Sequence, residues 1–113
     1  MDINKELMGA STRMLILGVL ARQASYGYEI IKAINKDADG LFVWQEGTVY
    51  PILHKLEKED LVRAEWQQAD TGRRRKYYYI TATGRGALAD GREQWNGVHQ
   101  LMMRLTSATV LGE

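Results

Sequence analysis

The sequence predicts a mainly α fold of the α+β class, on three observations. Between residues 46 and 62, apolar side chains recur every three or four positions, which indicates one buried stripe of a helix. Two strand-like segments follow, joined by a turn at residues 70–72 that runs into four consecutive basic residues. The last third has an apolar residue every seven positions, as in a helix that packs on a partner helix. Helix, strand, basic turn, strand is the order of a winged helix-turn-helix domain, here followed by a C-terminal dimerisation helix.

The length of 113 residues predicts a single compact unit with a modest core. Within it we assign residues 1–81 to the winged DNA-binding part, N-terminal helix included, and residues 82–113 to the dimerisation helix. A helix that remains after so small a core is built needs another surface to cover it. The sequence therefore predicts an oligomer.

Composition excludes several functional classes. With no cysteine and two histidines, and without a glycine-rich phosphate loop or an HExxH pattern, the sequence indicates no catalytic residues, no metal site and no cofactor. No apolar run approaches the roughly 18–20 residues of a membrane span, and the first residues do not resemble a signal peptide, so we expect a cytoplasmic protein without membrane contact. The net charge of +1 means that any DNA binding must depend on local basic patches.

The first half of the chain predicts two helices and a linker. Residues 5–23 have apolar side chains on more than one face, which is typical of a helix between two neighbours. Ser25 is a candidate cap for a second helix that reaches Ile34, with Glu29 in a capping-box position. Residues 41–44 are too few for a helix and indicate either a buried linker or a short strand at the sheet edge.

The boundaries of the third helix stay open at this stage. Gln45, Gly47 or Thr48 could occupy the N-cap; a cap at Thr48 puts Pro51 in the first turn, whereas an earlier cap leaves a carbonyl unpaired. Residues 61–67 and 75–80 are predicted to pair as antiparallel strands through the turn. Thr81 or Thr83 is then expected to cap the last helix.

The last helix contains a seam that is similar to that of a coiled coil. Leu88, Trp95, Met102 and Thr109 are seven residues apart, and Gly91, Val98 and Leu105 lie between them. From this seam we predict a dimer interface formed by Leu88, Trp95, Val98, Met102 and Leu105. Trp95 also suggests a binding site, because Gly91 one turn away would leave a gap for a planar aromatic molecule, with His99 as a polar neighbour. The alternative is that Trp95 is ordinary interface core.

Two elements are candidates for contacting double-stranded DNA. Polar side chains beside the apolar stripe of the third helix could reach base edges in the major groove, and cations at the hairpin could lie along phosphates. Tyr26, near the start of the second helix, could donate its hydroxyl to a phosphate. The predicted DNA-binding residues are Tyr26, Thr48, Tyr50, His54, Lys55, Arg73, Arg74, Arg75 and Lys76. Alternatives remain: the basic run could be merely solvated, Tyr50 could pack under the wing, and His54 could be an ordinary surface residue.

Four blocks of sequence resemble the successive motifs of the PadR-like transcriptional regulators. They are residues 26–30 (YGYEI), 47–58 (GTVYPILHKLEK), 75–78 (RKYY) and 80–84 (ITATG), in the same order and at the same spacing. The single last helix resembles the short subgroup with multidrug-sensing members. Asp60 departs from the family pattern, which usually has Gly there, so we expect a left-handed backbone conformation at this residue.

The resemblance implies a homodimeric repressor that binds an operator and is released by a small effector. In this family the last helix and the first form the dimer, and Leu7 and Met14 of the first helix would supply walls of a pocket beside Trp95. The effector would be an aromatic or cationic hydrophobic compound. The competing hypothesis is a dimeric ligand-binding or protein-interaction module that keeps the winged fold without sequence-specific DNA binding.

Overall fold

The computed structural model describes residues 3–110 and, for side chains, residues 3–107. Its elements, in chain order, are α1 (Lys5–Arg22), β1 (Ser25–Tyr26), α2 (Gly27–Ala38), α3 (Glu46–Lys58), β2 (Val62–Gln68), β3 (Arg74–Ile80) and α4 (Ala82–Val110). The strands form one antiparallel sheet in the order β1-β3-β2. This layout confirms the predicted α+β winged-helix class. None of the described helices is both long and apolar enough to cross a membrane.

The core lies between the first three helices and the inner face of the sheet. The stripe predicted on α3 is buried as expected, since Val49, Leu53 and Leu56 are inaccessible to solvent. Tyr78 contributes the largest fully buried side chain from β3, while its neighbours Tyr77 and Tyr79 are half-buried on the other face. The three tyrosines therefore alternate between core and surface, as a strand requires.

The start of α2 differs from the prediction by one residue. Tyr26, and not Ser25, is the N-cap, because Ser25 pairs with Tyr78 in the sheet and its hydroxyl donates to the Gln23 carbonyl at 3.0 Å. The capping role of Glu29 is confirmed, since its carboxylate accepts the Tyr26 backbone N–H at 3.3 Å. The two-residue strand β1 ties the beginning of α2 to the centre of the sheet.

Residues 41–44 form a linker and not an edge strand. Trp44 is buried, and the Asn35 side chain holds its backbone at both ends: Oδ1 accepts the Trp44 N–H at 2.7 Å, and Nδ2 donates to the Trp44 carbonyl at 3.1 Å. Because a side chain satisfies these backbone groups, the segment needs no strand partner. The third strand of the sheet is β1.

Helix α3 begins at the earliest of the three positions that the sequence left open. Gln45 is its N-cap, so Pro51 lies inside the helix. Proline has no N–H to donate, which leaves the Gly47 carbonyl without its helical partner. Gly47 is exposed, so water can satisfy that carbonyl. The helix ends before Asp60. The φ of Asp60 is 61°, the left-handed conformation expected at a position where the resembling family usually has glycine.

The hairpin and the start of α4 match the prediction closely. Strands β2 and β3 pair from Val62 with Ile80 to Gln68 with Arg74, and Gly72 in the turn has a φ of 83°. Thr81 caps α4, since its Oγ1 accepts the Gly84 N–H at 2.9 Å. Among the predicted seam residues, Leu88 packs against the core, whereas Trp95, Val98, Met102 and Leu105 are exposed. The side chain of Thr109 lies outside the described residues.

Candidate nucleic-acid interface

Helix α3 presents a polar face opposite its buried stripe. Thr48, Pro51, Lys55 and Lys58 are exposed and lie three or four residues apart, so they follow one line along the helix. His54 is exposed beside this line. The predicted residues Thr48, His54 and Lys55 therefore share an accessible surface of the size and shape that a helix offers to the major groove.

Tyr50 departs from its predicted position. Its phenol end lies over Gly27 of α2, where a Cβ on Gly27 would come within 2.5 Å of the Tyr50 hydroxyl. Burial, with the Glu46 carboxylate as a smaller influence, raises the pKa of Tyr50 above its usual value. The ring is thus part of the α2–α3 contact. Burial raises the pKa of Tyr78 in β3, and Tyr50 is one of the smaller influences that also raise it, so the Tyr50 phenol lies near the inner face of the wing, as in the alternative.

Two residues of α2 that the sequence did not single out lie on its solvent side. Tyr28 is 51% exposed, and the Lys32 ammonium lies 5.6 Å from the centre of its ring. They are one helical turn apart, which explains the contact. The first helix of a helix-turn-helix pair crosses the DNA backbone, so a cation and a phenol at this place could contact phosphates. The sequence feature that could have pointed to this surface was the aromatic residue Tyr28 near the start of α2.

The basic residues of the hairpin are divided between the two faces of β3. Arg73 lies in the turn and is exposed. The Arg74 guanidinium is 5.2 Å from the centre of the Trp66 ring, on the face that also carries Lys76. Arg75 points to the opposite face, where its guanidinium is 4.5 Å from the centre of the Tyr26 ring. This division arises because successive side chains of a strand point to opposite faces. It is not apparent from four consecutive basic residues in the sequence.

Tyr26 is held between two neighbours on the outer face of the sheet. Its ring meets Tyr77 edge to face, with centroids 5.5 Å apart, and Arg75 covers it. The half-buried ring is therefore fixed in orientation. It belongs to the same outer surface as Arg75, so its hydroxyl remains a candidate for a phosphate contact beside that cation.

Trp66 is a wing residue that the sequence analysis missed. It is 59% exposed on β2 and lies beside Arg74 across the hairpin. A planar guanidinium over an indole face is a cation–π contact, which restricts the rotamers of the arginine. A lone tryptophan seven residues before a basic run gave little signal, because only the strand register brings Trp66 and Arg74 together.

Lys76 of the wing also contacts helix α3. Its Nζ is 3.3 Å from the Glu57 Oε1 on α3 and 5.4 Å from the centre of the Tyr78 ring. Burial by itself would lower the pKa of Lys76, but Tyr78 and the Glu57 carboxylate outweigh it and raise the pKa above the usual value. Lys76 is therefore a firmly charged residue in an ion pair between β3 and α3.

A groove of about 1210 Å³ lies on the other side of the domain, between α1, α2 and α4. Four of the five predicted ligand-binding residues, Leu7, Met14, Trp95 and His99, line it. The fifth, Gly91, does not: a Cβ on Gly91 would overlap the Met14 thioether, so Met14 occupies the gap that we expected over this glycine. The glycine instead allows α1 and α4 to approach each other.

The groove is mainly apolar with charged groups at its edges. Arg22 and Asp37 line it and form an ion pair at 3.0 Å, while Glu93 and Arg92 of α4 lie on the opposite wall. Trp95, 41% exposed, presents its ring to the groove. Such a surface suits a planar apolar molecule, and the Glu93 carboxylate could accommodate a positive charge on it.

A winged helix-turn-helix with an accessible third helix and a cationic hairpin defines a class of protein, the DNA-binding transcriptional regulators. The model of the transcriptional regulator PadR-like family matches residues 16–90, more than half of the chain. The protein belongs to this family. Because regulators of this family are non-enzymatic DNA-binding proteins, the assignment agrees with the expectation that the chain is not an enzyme and favours DNA binding over the ligand-module alternative.

Known relatives and solved structures agree with this assignment. Transcriptional regulator Rv3488 of Mycobacterium tuberculosis is 32% identical over 88 residues, which cover 78% of each protein. A transcriptional regulator from Clostridium thermocellum is 30% identical with a TM-score of 0.83, over 90% of this chain and 96% of that one. A PadR-like transcriptional regulator from Bacillus cereus is 29% identical with a TM-score of 0.78, over 89% of this chain and 96% of that one.

Proposed function

We propose that the protein is a homodimeric repressor that is released from DNA by an aromatic or cationic hydrophobic effector. Helix α3 would recognise the operator sequence, and the wing would contact the phosphate backbone of the DNA. The observation that carries the proposal is the position of the wing beside the exposed line of α3. Thr48, His54 and Lys55 would face the major groove, while Arg73 and Arg74 would lie along phosphates. Base contacts would thus come from the helix and position from the hairpin.

The dimer is proposed from the surface of α4. Val98, Leu101, Met102 and Leu105 are exposed on this helix, although each is apolar. A contiguous apolar surface on a long helix is typical of a protein interface. The groove volume of about 1210 Å³ exceeds the roughly 300–1,000 Å³ of ligand pockets, which leaves room for part of a second chain as well as a small molecule.

Effector binding is proposed for the part of the groove between Trp95 and α1. Leu7 and Met14 supply apolar walls, and Met14 is a flexible side chain that can adapt to different shapes. His99 adds a polar group one turn from Trp95. In a dimer whose α4 helices meet, two Trp95 rings could stack on the two faces of one planar compound.

A gel-shift titration tests the repressor proposal. The purified protein is titrated against the DNA upstream of its own coding region, at two salt concentrations and with excess competitor DNA. We expect a saturable, salt-sensitive complex at a discrete site, whose affinity falls when Thr48 or Lys55 is replaced by Ala. Equal binding to a scrambled duplex would contradict sequence-specific recognition.

Tryptophan fluorescence tests the effector proposal. The chain has three tryptophans, of which Trp44 is buried, so a Trp66→Phe variant leaves Trp95 as the exposed reporter. We expect planar aromatic compounds to quench this variant and to dissociate its DNA complex. Because Trp95→Ala lacks the reporter, compound binding to this variant is followed by dissociation of its DNA complex: we expect compounds to release it no longer, while DNA binding persists and sedimentation shows an intact dimer. Unchanged compound titrations in Trp95→Ala would remove this residue from the site.

A further inference from the structure

The four cations of the wing do not have the same partners. Among the described residues, Lys76 forms an ion pair with Glu57, whereas none of the ion pairs involves Arg73, Arg74 or Arg75. The Lys76 side chain is 29% exposed, and that of Glu57 is 38% exposed. Lys76 is thus the cation of this cluster with the least freedom to turn toward a phosphate.

The pair joins the two elements that would contact DNA. Glu57 lies one residue before the end of α3, and Lys76 lies within β3, directly across the hairpin from Trp66. Along the chain these elements are connected through the turn at residues 59–61, strand β2 and the hairpin turn at residues 69–73. The ion pair is a second, direct link between α3 and β3. It therefore restricts the angle between the hairpin and α3.

The surroundings favour a fixed geometry for Lys76. Its ammonium lies near the ring of Tyr78, which is fully buried, and the Glu57 carboxylate is on the opposite element. A cation that contacts both a carboxylate and an aromatic face is held from two directions. Turning toward DNA would require the lysine to give up both contacts.

We propose that Lys76 is a positioning residue that sets the angle between the wing and α3 through Glu57, and that it does not neutralise a DNA phosphate. Arg74 on the same face of β3 is the wing cation that does. The distinction matters because a phosphate contact adds affinity for every sequence, whereas the correct angle between helix and wing is required only when both engage a specific site. Lys76 therefore determines specificity, although it touches no base. This inference rests on the proposed sequence-specific DNA binding.

The experiment compares Lys76→Gln with Arg74→Gln as the matched control. Each protein is titrated against a duplex selected by the wild-type protein from random-sequence DNA and against a scrambled duplex, over a series of salt concentrations. For Lys76→Gln we expect about a two- to fivefold loss of affinity for the selected duplex only, with an unchanged salt slope. For Arg74→Gln we expect affinity for both duplexes to fall and the log–log salt slope to drop by about 0.9.

Variants of Glu57 distinguish a Lys76 that positions the wing from a Lys76 that contacts a phosphate, because the two roles predict different changes in DNA affinity. If Lys76 positions the wing, Glu57→Gln lowers the preference for the selected duplex, and the double variant Glu57→Gln with Lys76→Gln shows no further loss. If Lys76 is a phosphate contact, Glu57→Gln frees it and binding to both duplexes becomes tighter with an unchanged preference. That second result, or a salt slope reduced in Lys76→Gln, would overturn the inference.

The conservative variant Lys76→Arg keeps the ion pair and should retain the preference for the selected duplex, while thermal melts confirm that each variant is folded. The inference and the proposed function fail separately. If the wild-type protein enriches no sequence from the random pool, the proposed function fails. If it does enrich a site but Lys76→Gln behaves as Arg74→Gln does, only the role of Lys76 is wrong.

Discussion

Gly84 of α4 lies directly against the backbone carbonyl of Leu61, so closely that a Cβ on Gly84 would overlap the Leu61 oxygen. The same oxygen accepts the Thr81 N–H at 3.0 Å, and the Thr81 hydroxyl donates to the neighbouring Asp60 carbonyl at 2.7 Å. The first turn of α4 therefore packs on the turn that links α3 to β2. This contact places the start of α4 directly on the backbone of the winged domain.

Gly84→Ala should destabilise the protein, and Gly86→Ala should not. The added methyl group at residue 84 meets backbone that cannot rotate away, so we expect a loss of about 1–3 kcal/mol in the free energy of unfolding. Gly86 is in the same helix, and no atom lies within 4 Å of a Cβ built there. Alanine at residue 86 should stabilise by about 0.5–1 kcal/mol because it favours the helix. Urea unfolding measures both, and two changes of the same sign would contradict the contact.

Asp60→Gly should raise the stability of the winged domain. Asp60 has a φ of 61°, a left-handed conformation that costs free energy in any residue with a Cβ. Glycine removes most of that cost, so we expect a gain of about 0.5–1 kcal/mol. Asp60→Val should have the opposite effect, since a β-branched side chain is poorly tolerated there. Thermal unfolding of the three proteins should order them Gly, Asp, Val from most to least stable.

Trp66→Ala should weaken DNA binding through Arg74. The Trp66 indole restricts the orientation of the Arg74 guanidinium. A cation–π contact at an exposed site contributes about 0.5–1 kcal/mol, so its removal should lower DNA affinity roughly two- to fivefold. Trp66→Phe keeps an aromatic face and should retain most of the affinity. In an Arg74→Ala background, Trp66→Ala should have no further effect. An equal loss in both backgrounds would show that Trp66 acts independently of Arg74.

Alkaline pH should destabilise the protein, and Tyr50 should account for part of the loss. Burial raises the pKa of both Tyr50 and Tyr78 above the ordinary value of 10.0. Above about pH 10 the unfolded chain releases these protons before the folded chain does, so the stability present at lower pH is lost as the pH rises. Denaturant midpoints at about pH 8 and about pH 10.5 measure the loss. Tyr50→Phe should reduce this loss, and an equal loss in Tyr50→Phe and the wild type would contradict a contribution from Tyr50.

Much of the fold followed from sequence because its signals are local. The stripe of Val49, Leu53 and Leu56 needs only the helical period to be recognised, and Gly72 with its polar neighbours needs only turn chemistry. The left-handed backbone at Asp60 was expected from the family resemblance, because a glycine usually stands at this position. Strand β1 was not predicted, because two residues are too few to show an alternating pattern.

The details of the candidate interface were less accessible, because they depend on contacts between distant elements. Tyr50 turns inward since Gly27, 23 positions earlier, leaves a space for its ring. The partner of Lys76 is a carboxylate on a different element, and Met14 fills the space over Gly91 from another helix. The sequence identified the residue types and their elements, while the direction of each side chain required the packing.

The 29-residue helix α4 has a further consequence for the life of the protein in the cell. From Arg92 to Ser107 its residues are exposed, and an isolated helical segment of this kind is only marginally stable in water. In an unassembled chain this segment would unwind readily and offer a protease an extended substrate, while the same segment in a dimer would be protected.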